Sequence, residues 1–277
     1  MKRPRTSSSI PSGTYTVKAL VKALRILECL GEDEAPSATL TQLSRRLHLH
    51  VSTVHRLMVN LVRQGFVETD PVTGGYRLSF RILRMGLKVL DRLDFRQVAQ
   101  PLLRELNQKT QETIHLAILQ GHHAISIDKI GSPQPVALDA KLGSVMPLYC
   151  TGVGKTLLAF QPEAVQGELL HALSLERHTP HTITSQAQLR KQLARVKEQG
   201  YAVDNEEAVP GLRCVAAPIL DHEGRVVAAF SVAGPASRVT LERVPELARL
   251  VSETSREISF RLGQRTRSEP PEPRRER

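Results

Sequence analysis

Ser52, Thr53, His55 and Arg56 fall within five consecutive positions of a segment whose apolar residues, Val54, Leu57, Met58, Leu61 and Val62, repeat at helical spacing. Burying that stripe turns Ser52, Thr53, His55, Arg56, Asn60 and Arg63 outward. Hydroxyl, imidazole and guanidinium groups on one helix face are suited to hydrogen-bonding base edges in a DNA major groove. Just upstream, Leu43 and Leu47 sit one helical turn apart, and Thr39 with Gln42 forms a capping-box pattern that starts a helix there. Ser52 is expected to cap the second helix. The pair reads as a helix-turn-helix, although a solvated face on an ordinary helical hairpin has the same local pattern.

Other residues suggest catalysis and fail on spacing. Gly152-Val153-Gly154-Lys155-Thr156 looks like part of a phosphate loop, but that loop needs a glycine five positions before the Gly-Lys glycine, and Tyr149 stands there. No strand leads into it as a doubly wound fold requires. Cys150 or Cys214 with His115, His122 or His123 would make a nucleophile and base, but nothing in their spacing pairs them. The ten histidines and three cysteines (Cys29, Cys150, Cys214) show no metal-ligand spacing, and the cysteines read as small buried hydrophobes. Neither an enzyme nor a metal or cofactor site is expected.

The elements that must position these residues can be read along the chain. The first 90 residues hold 14 Lys/Arg against 6 Asp/Glu, whereas residues 91–263 balance at 19 of each. The basic excess therefore sits with the helix-turn-helix, and a polyanion partner follows. Residues 1–14, rich in Ser, Pro and basic residues, are expected to form a disordered arm. Leu20, Val21, Leu24, Leu27 and Leu30 mark a first helix. Gly65 ends the recognition helix. Residues 66–69 and 76–78 then read as strands around the turn Asp70-Pro71-Val72-Thr73-Gly74-Gly75. A helix-turn-helix followed by a hairpin is a winged helix, expected over 15–79, with His50 and Arg77 placed near phosphate. Phe80, Leu83, Leu87, Leu90 and Leu93 share one face of a linker helix over 80–94, a stripe that suits dimer pairing or contact with a core.

Beyond it, strands are expected over 112–119, 124–130, 136–140, 200–204, 212–220 and 225–233. Helices are expected over 152–160, 186–199 and about 239–262, and a charged, Pro-rich tail over 264–277. A mainly antiparallel sheet with helices around it makes an α+β domain over 95–263, large enough to enclose a small molecule. Gly152 and Val153 begin a helix, whose free amides attract carboxylates. No stretch approaches a membrane span and no apolar signal core follows the basic N-terminus, so a cytoplasmic location is expected.

The order of these features resembles the IclR family of bacterial transcription regulators over roughly residues 16–262. The matching landmarks begin with Ser-Thr-Val-His-Arg at 52–56 and the Gly-Gly-Tyr-Arg-Leu wing at 74–78. Pro147-Leu148-Tyr149-Cys150-Thr151-Gly152-Val153-Gly154-Lys155 follows, then Asp204-Asn205-Glu206-Glu207 and Gly211-Leu212-Arg213-Cys214-Val215-Ala216-Ala217-Pro218. Ser231-Val232-Ala233-Gly234-Pro235 closes the set. The resemblance implies a GAF-like effector domain, dimers or tetramers, and operator binding controlled by a small organic acid. Carried over by position, Gly152, Val153, Asp204, Cys214 and Ser231 would hold the effector, with Leu138, Met146 and Leu212 as an apolar wall. Ala233 stands where members that bind small carboxylates often have a second serine, which argues against a glyoxylate-sized ligand. The competing expectation is a small-molecule sensor or enzyme whose winged helix mediates protein contacts.

Overall fold

The computed structural model describes residues 16–32, 35–90, 94–135 and 141–264. The expected basic arm, the strand at 136–140, Leu138 and all of the tail except Gln264 lie outside them. The chain divides into two compact units, residues 1–92 and 93–277.

In the first unit, α1 (Lys18–Glu32), α2 (Leu40–Leu47) and α3 (Val51–Arg63) close over a core that includes Ile26, Leu43, Val54 and Met58, all wholly buried. Thr39 and Gln42 form the capping box: the Thr39 amide donates to Gln42 Oε1 at 2.7 Å, and the Gln42 amide donates to Thr39 Oγ1 at 3.3 Å. The cap of α3 differs from expectation. His50 is the N-cap, its Nδ1 accepting from the Ser52 amide, while the Ser52 hydroxyl lies 2.7 Å from the same ring. Ser52 already sits inside the first turn, so the residue before the helix takes the role. Gly65, at φ 73°, turns the chain after α3 into β1 (Val67–Thr69), which pairs antiparallel with β2 (Tyr76–Leu78). Asp70 organises the turn between them, its Oδ1 accepting from the amides of Val72 and Thr73. The linker stripe forms α4 (Phe80–Leu90) as far as Leu90; Leu93 lies outside the described residues, and Asp94 begins the next helix.

The second unit holds a six-stranded sheet whose neighbouring strands all run antiparallel. Its strands are β3 (Thr113–Gln120), β4 (His123–Ile130), β5 (Val145–Met146), β6 (Ala202–Asn205), β7 (Leu212–Leu220) and β8 (Val226–Pro235), in the order β5-β4-β3-β8-β7-β6. One helical layer consists of α5 (Asp94–Thr110) and α9 (Val244–Arg261). The other consists of α6 (Gly152–Ala159), which lies on the sheet, with α7 (Glu163–Ala172) and α8 (Gln186–Gln199) packed against it. The last helix starts at Val244 rather than near Val239, with Pro245 in its first turn, where the amide hydrogen it lacks has no helical acceptor. The mixture of helices with a curled antiparallel sheet is the α+β arrangement expected.

Candidate functional site

The first candidate site is the outer face of α3. Ser52, His55 and Arg56 are exposed and Thr53 is half-buried, while Val54, Met58 and Leu61 point into the core. The polar face is exposed as the spacing requires, but the expected buried stripe is incomplete: Val62, at the end of the helix, is exposed. Lys22 of α1 joins Thr53, Arg56 and Asn60 along one groove, a cation that the sequence reading did not single out. On the wing, Arg77 donates to Glu68 Oε1 and Asp70 Oδ2, both at 2.8 Å, and its side chain remains 41% exposed. Backbone donation from Thr73 and Val72 is the main reason that the Asp70 carboxyl titrates below its ordinary range.

The second site is a cavity of about 260 Å³ in the second unit. Its floor is one face of the sheet. Registered neighbours form two rows across the strands: Asp204, Cys214 and Ala233 in one, Ala216, Ser231 and His115 in the next. Over them sits the start of α6, with Cys150, Thr151, Gly152 and Val153 in the wall. The approach is close: a β-carbon on Gly152 would lie 3.2 Å from Ala216 Cβ and 3.4 Å from Cys214 Cβ. Thr151 caps the helix by accepting from the Gly154 amide, so among the described residues the Gly152 and Val153 amides are left without an acceptor. Met146, Pro147, Val209 and Leu212 supply apolar surface, and His178 and Ala208 complete the lining.

The structure therefore brings Met146, Gly152, Val153, Asp204, Leu212, Cys214 and Ser231 into one cavity. Two histidines, His115 and His178, belong to it as well. For His115 the signal was present, since period-two alternation along β3 puts it on the face opposite Ile114 and Leu116. His178 sits in an irregular segment, where no periodicity points.

Burial dominates the electrostatics of this cavity. It raises the Asp204 carboxyl to about 7, against the lowering effect of the Glu207 amide, which donates to Oδ1 at 2.8 Å. It pushes the Cys150 thiol up to about 12 and Cys214 well above its ordinary value, so neither is a thiolate at neutral pH. It holds the His115 imidazole down to about 4 and hence neutral. Lys155, the residue that suggests a phosphate loop, is wholly buried. It donates to Val203 O at 2.6 Å and pairs with Glu207, so it cradles a neighbouring strand and loop rather than a nucleotide. Arg213 pairs with Glu206 at 3.2 Å and donates to Asn205. No group of three or more His, Cys, Asp or Glu is placed to hold a metal among the described residues. No described helix is long and apolar enough to cross a membrane.

Comparison with known proteins agrees with both halves. The model of the IclR helix-turn-helix domain matches residues 19–71, and that of the bacterial transcriptional regulator IclR C-terminal domain matches residues 87–260. The HTH-type transcriptional regulator XynR of Escherichia coli is 34% identical over 247 residues, covering 89% of this chain and 98% of the relative. Among solved structures, the IclR protein of Thermotoga maritima superimposes with a TM-score of 0.74 at 33% identity, covering 90% of this chain and 100% of its own. An IclR homologue from Microbacterium hydrocarbonoxydans, solved in complex with 4-hydroxybenzoate, gives a TM-score of 0.78 at 27% identity. That match covers 88% of this chain and 99% of the homologue.

Proposed function

The chain belongs to the IclR family of bacterial transcriptional regulators, and we propose that it reads a pseudo-palindromic operator with α3 and senses a small organic acid in the cavity of its second unit. The observation that carries the reading of the cavity is its two-sided chemistry. Uncommitted amides at the start of α6 favour a carboxylate, while the remaining walls are largely apolar. Its size suits a monocyclic acid: an apolar cavity of about 150 Å³ already admits benzene, and this one measures about 260 Å³. A family member that holds 4-hydroxybenzoate supports the same class of ligand. The raised thiols and the buried Lys155 leave no activated nucleophile there, which favours sensing over turnover.

On the DNA side, Ser52, Thr53, His55 and Arg56 contact bases, and His50 and Arg77 contact phosphate. A second copy of the chain supplies the other half-site. Its support is the exposed apolar stripe of Leu20, Val21 and Leu24 along α1, continued by Val17 just before it, together with exposed Phe80, Leu83 and Leu87 on α4. The test is a gel-shift titration on DNA flanking the chain's own gene, with unrelated DNA as competitor. Specific binding survives the competitor, and Arg56→Ala weakens it by about 1–3 kcal/mol if the guanidinium reads a base in a bidentate manner. A shift that the competitor abolishes, or a folded Arg56→Ala protein with unchanged affinity, contradicts this assignment.

A further inference from the structure

His115 is only 3% exposed, and neither its Nδ1 nor its Nε2 has a partner among the described residues. Folded proteins rarely leave a buried polar side chain unsatisfied, and such an exception calls for an explanation. Here the ring lines the cavity and stands on β3 directly beside Ser231 of β8. The start of α6 lies elsewhere, over Cys214 and Ala216 of β7. From β7 across β8 to β3 is two strand spacings, about 10 Å. The cavity thus has an anion-seeking end over β7 and, across β8, where Ala233 lines it, a second polar end on β3.

The chemistry of that second end is restrictive. Burial keeps the imidazole neutral, so it offers one N–H and one lone pair and no charge. Among the lining residues there is no Lys or Arg to offset a second carboxylate. A hydrogen or methyl group on the ligand would leave the ring unsatisfied. A hydroxyl both donates and accepts, so it matches the ring in either tautomer and can bond the Ser231 hydroxyl as well.

We propose that His115 is a specificity-determining residue that reads a hydroxyl group on the effector at the end opposite its carboxylate. The cavity then selects meta- or para-hydroxylated monocyclic acids over their unsubstituted parents. This rests on the reading of the cavity as an organic-acid site.

Calorimetric titration of the full chain with benzoate, 3-hydroxybenzoate, 4-hydroxybenzoate and terephthalate tests it, using wild-type, His115→Phe and His115→Gln proteins whose folding is checked by thermal melts. Wild type should bind at least one hydroxybenzoate about tenfold or more tighter than benzoate, because benzoate leaves the buried ring unpaired, and should reject terephthalate. His115→Phe should keep benzoate binding while the preference collapses to within about twofold, and His115→Gln should retain part of it. A wild-type preference near one, or a preference undiminished in His115→Phe, overturns the role of His115 while leaving the acid site standing. Failure of every acid to bind overturns the acid reading, and this proposal with it. If His115→Phe does not fold, the ¹⁵N resonances of the His115 ring in the wild-type protein decide. They should move with the hydroxybenzoate and not with benzoate, and the absence of that difference overturns the proposal.

Discussion

Asp204 is the residue whose position and chemistry pull hardest against each other. It lines a cavity proposed to hold an anion, yet it is itself an acid, raised by burial to about 7. Below that pH the neutral carboxyl is a donor that a ligand carboxylate can accept from. Above it the ionised group repels the ligand. Affinity for a hydroxybenzoate should therefore fall as pH rises from 6 to 8, and Asp204→Asn should flatten that dependence while still accepting the Glu207 amide at the same oxygen. A wild-type affinity that stays level across this range, measured by calorimetry, removes Asp204 from the ligand's surroundings. Asp204, Cys214 and Ser231 were legible through the resemblance to a known family, whose landmarks carry them over by position. Alternation along β3 assigns His115 to the face opposite Ile114 and Leu116 but not to a cavity. What turns that residue toward a ligand is the pairing of β3 with β8, between segments more than a hundred residues apart, which no local pattern encodes.

At the scale of elements, α6 explains why a phosphate-loop-like string occurs in a protein of this class. Gly152 lets the helix lie directly on β7. A β-carbon on Gly154 would run into Pro147 O and lie 2.7 Å from Leu148 Cα. Lys155 ties the helix to β6 through Val203 O and to the following loop through Glu207. The glycines thus serve close packing and the lysine serves a buried pair. Lys155→Met should destabilise the chain by about 3–5 kcal/mol, since it leaves Glu207 buried without its counter-charge, whereas Lys155→Met combined with Glu207→Leu should cost much less. Urea denaturation that finds the double variant no more stable than the single one contradicts this. The helix-turn-helix, the hairpin, α6 and α8 were legible from caps, glycines and apolar spacing. Two helices were not. In α5, Pro101 and a mostly polar sequence hide a helix that is held by packing against α9. The stretch that forms α7 has Pro162 rather than a side-chain cap before it and only a weak apolar face.

At the scale of the whole molecule, the two units divide the chemistry as the charge divides. Most of the basic excess and the polar face of α3 lie in the first, while the apolar cavity lies in the second, where charges balance over residues 93–263. The proposed function requires the two to be coupled, and coupling between binding sites is reciprocal: whatever factor an acid applies to operator affinity, the operator applies to acid affinity. The most direct test measures the anisotropy of labelled operator DNA, in excess unrelated DNA, over a titration of the full chain with and without saturating hydroxybenzoate. The predicted result is competitor-resistant binding whose affinity the acid changes by about fivefold or more, with Ser231→Ala binding the operator normally but needing more acid for the same change. Operator affinity that is identical with and without acid, in a protein shown by calorimetry to have bound it, would contradict the account.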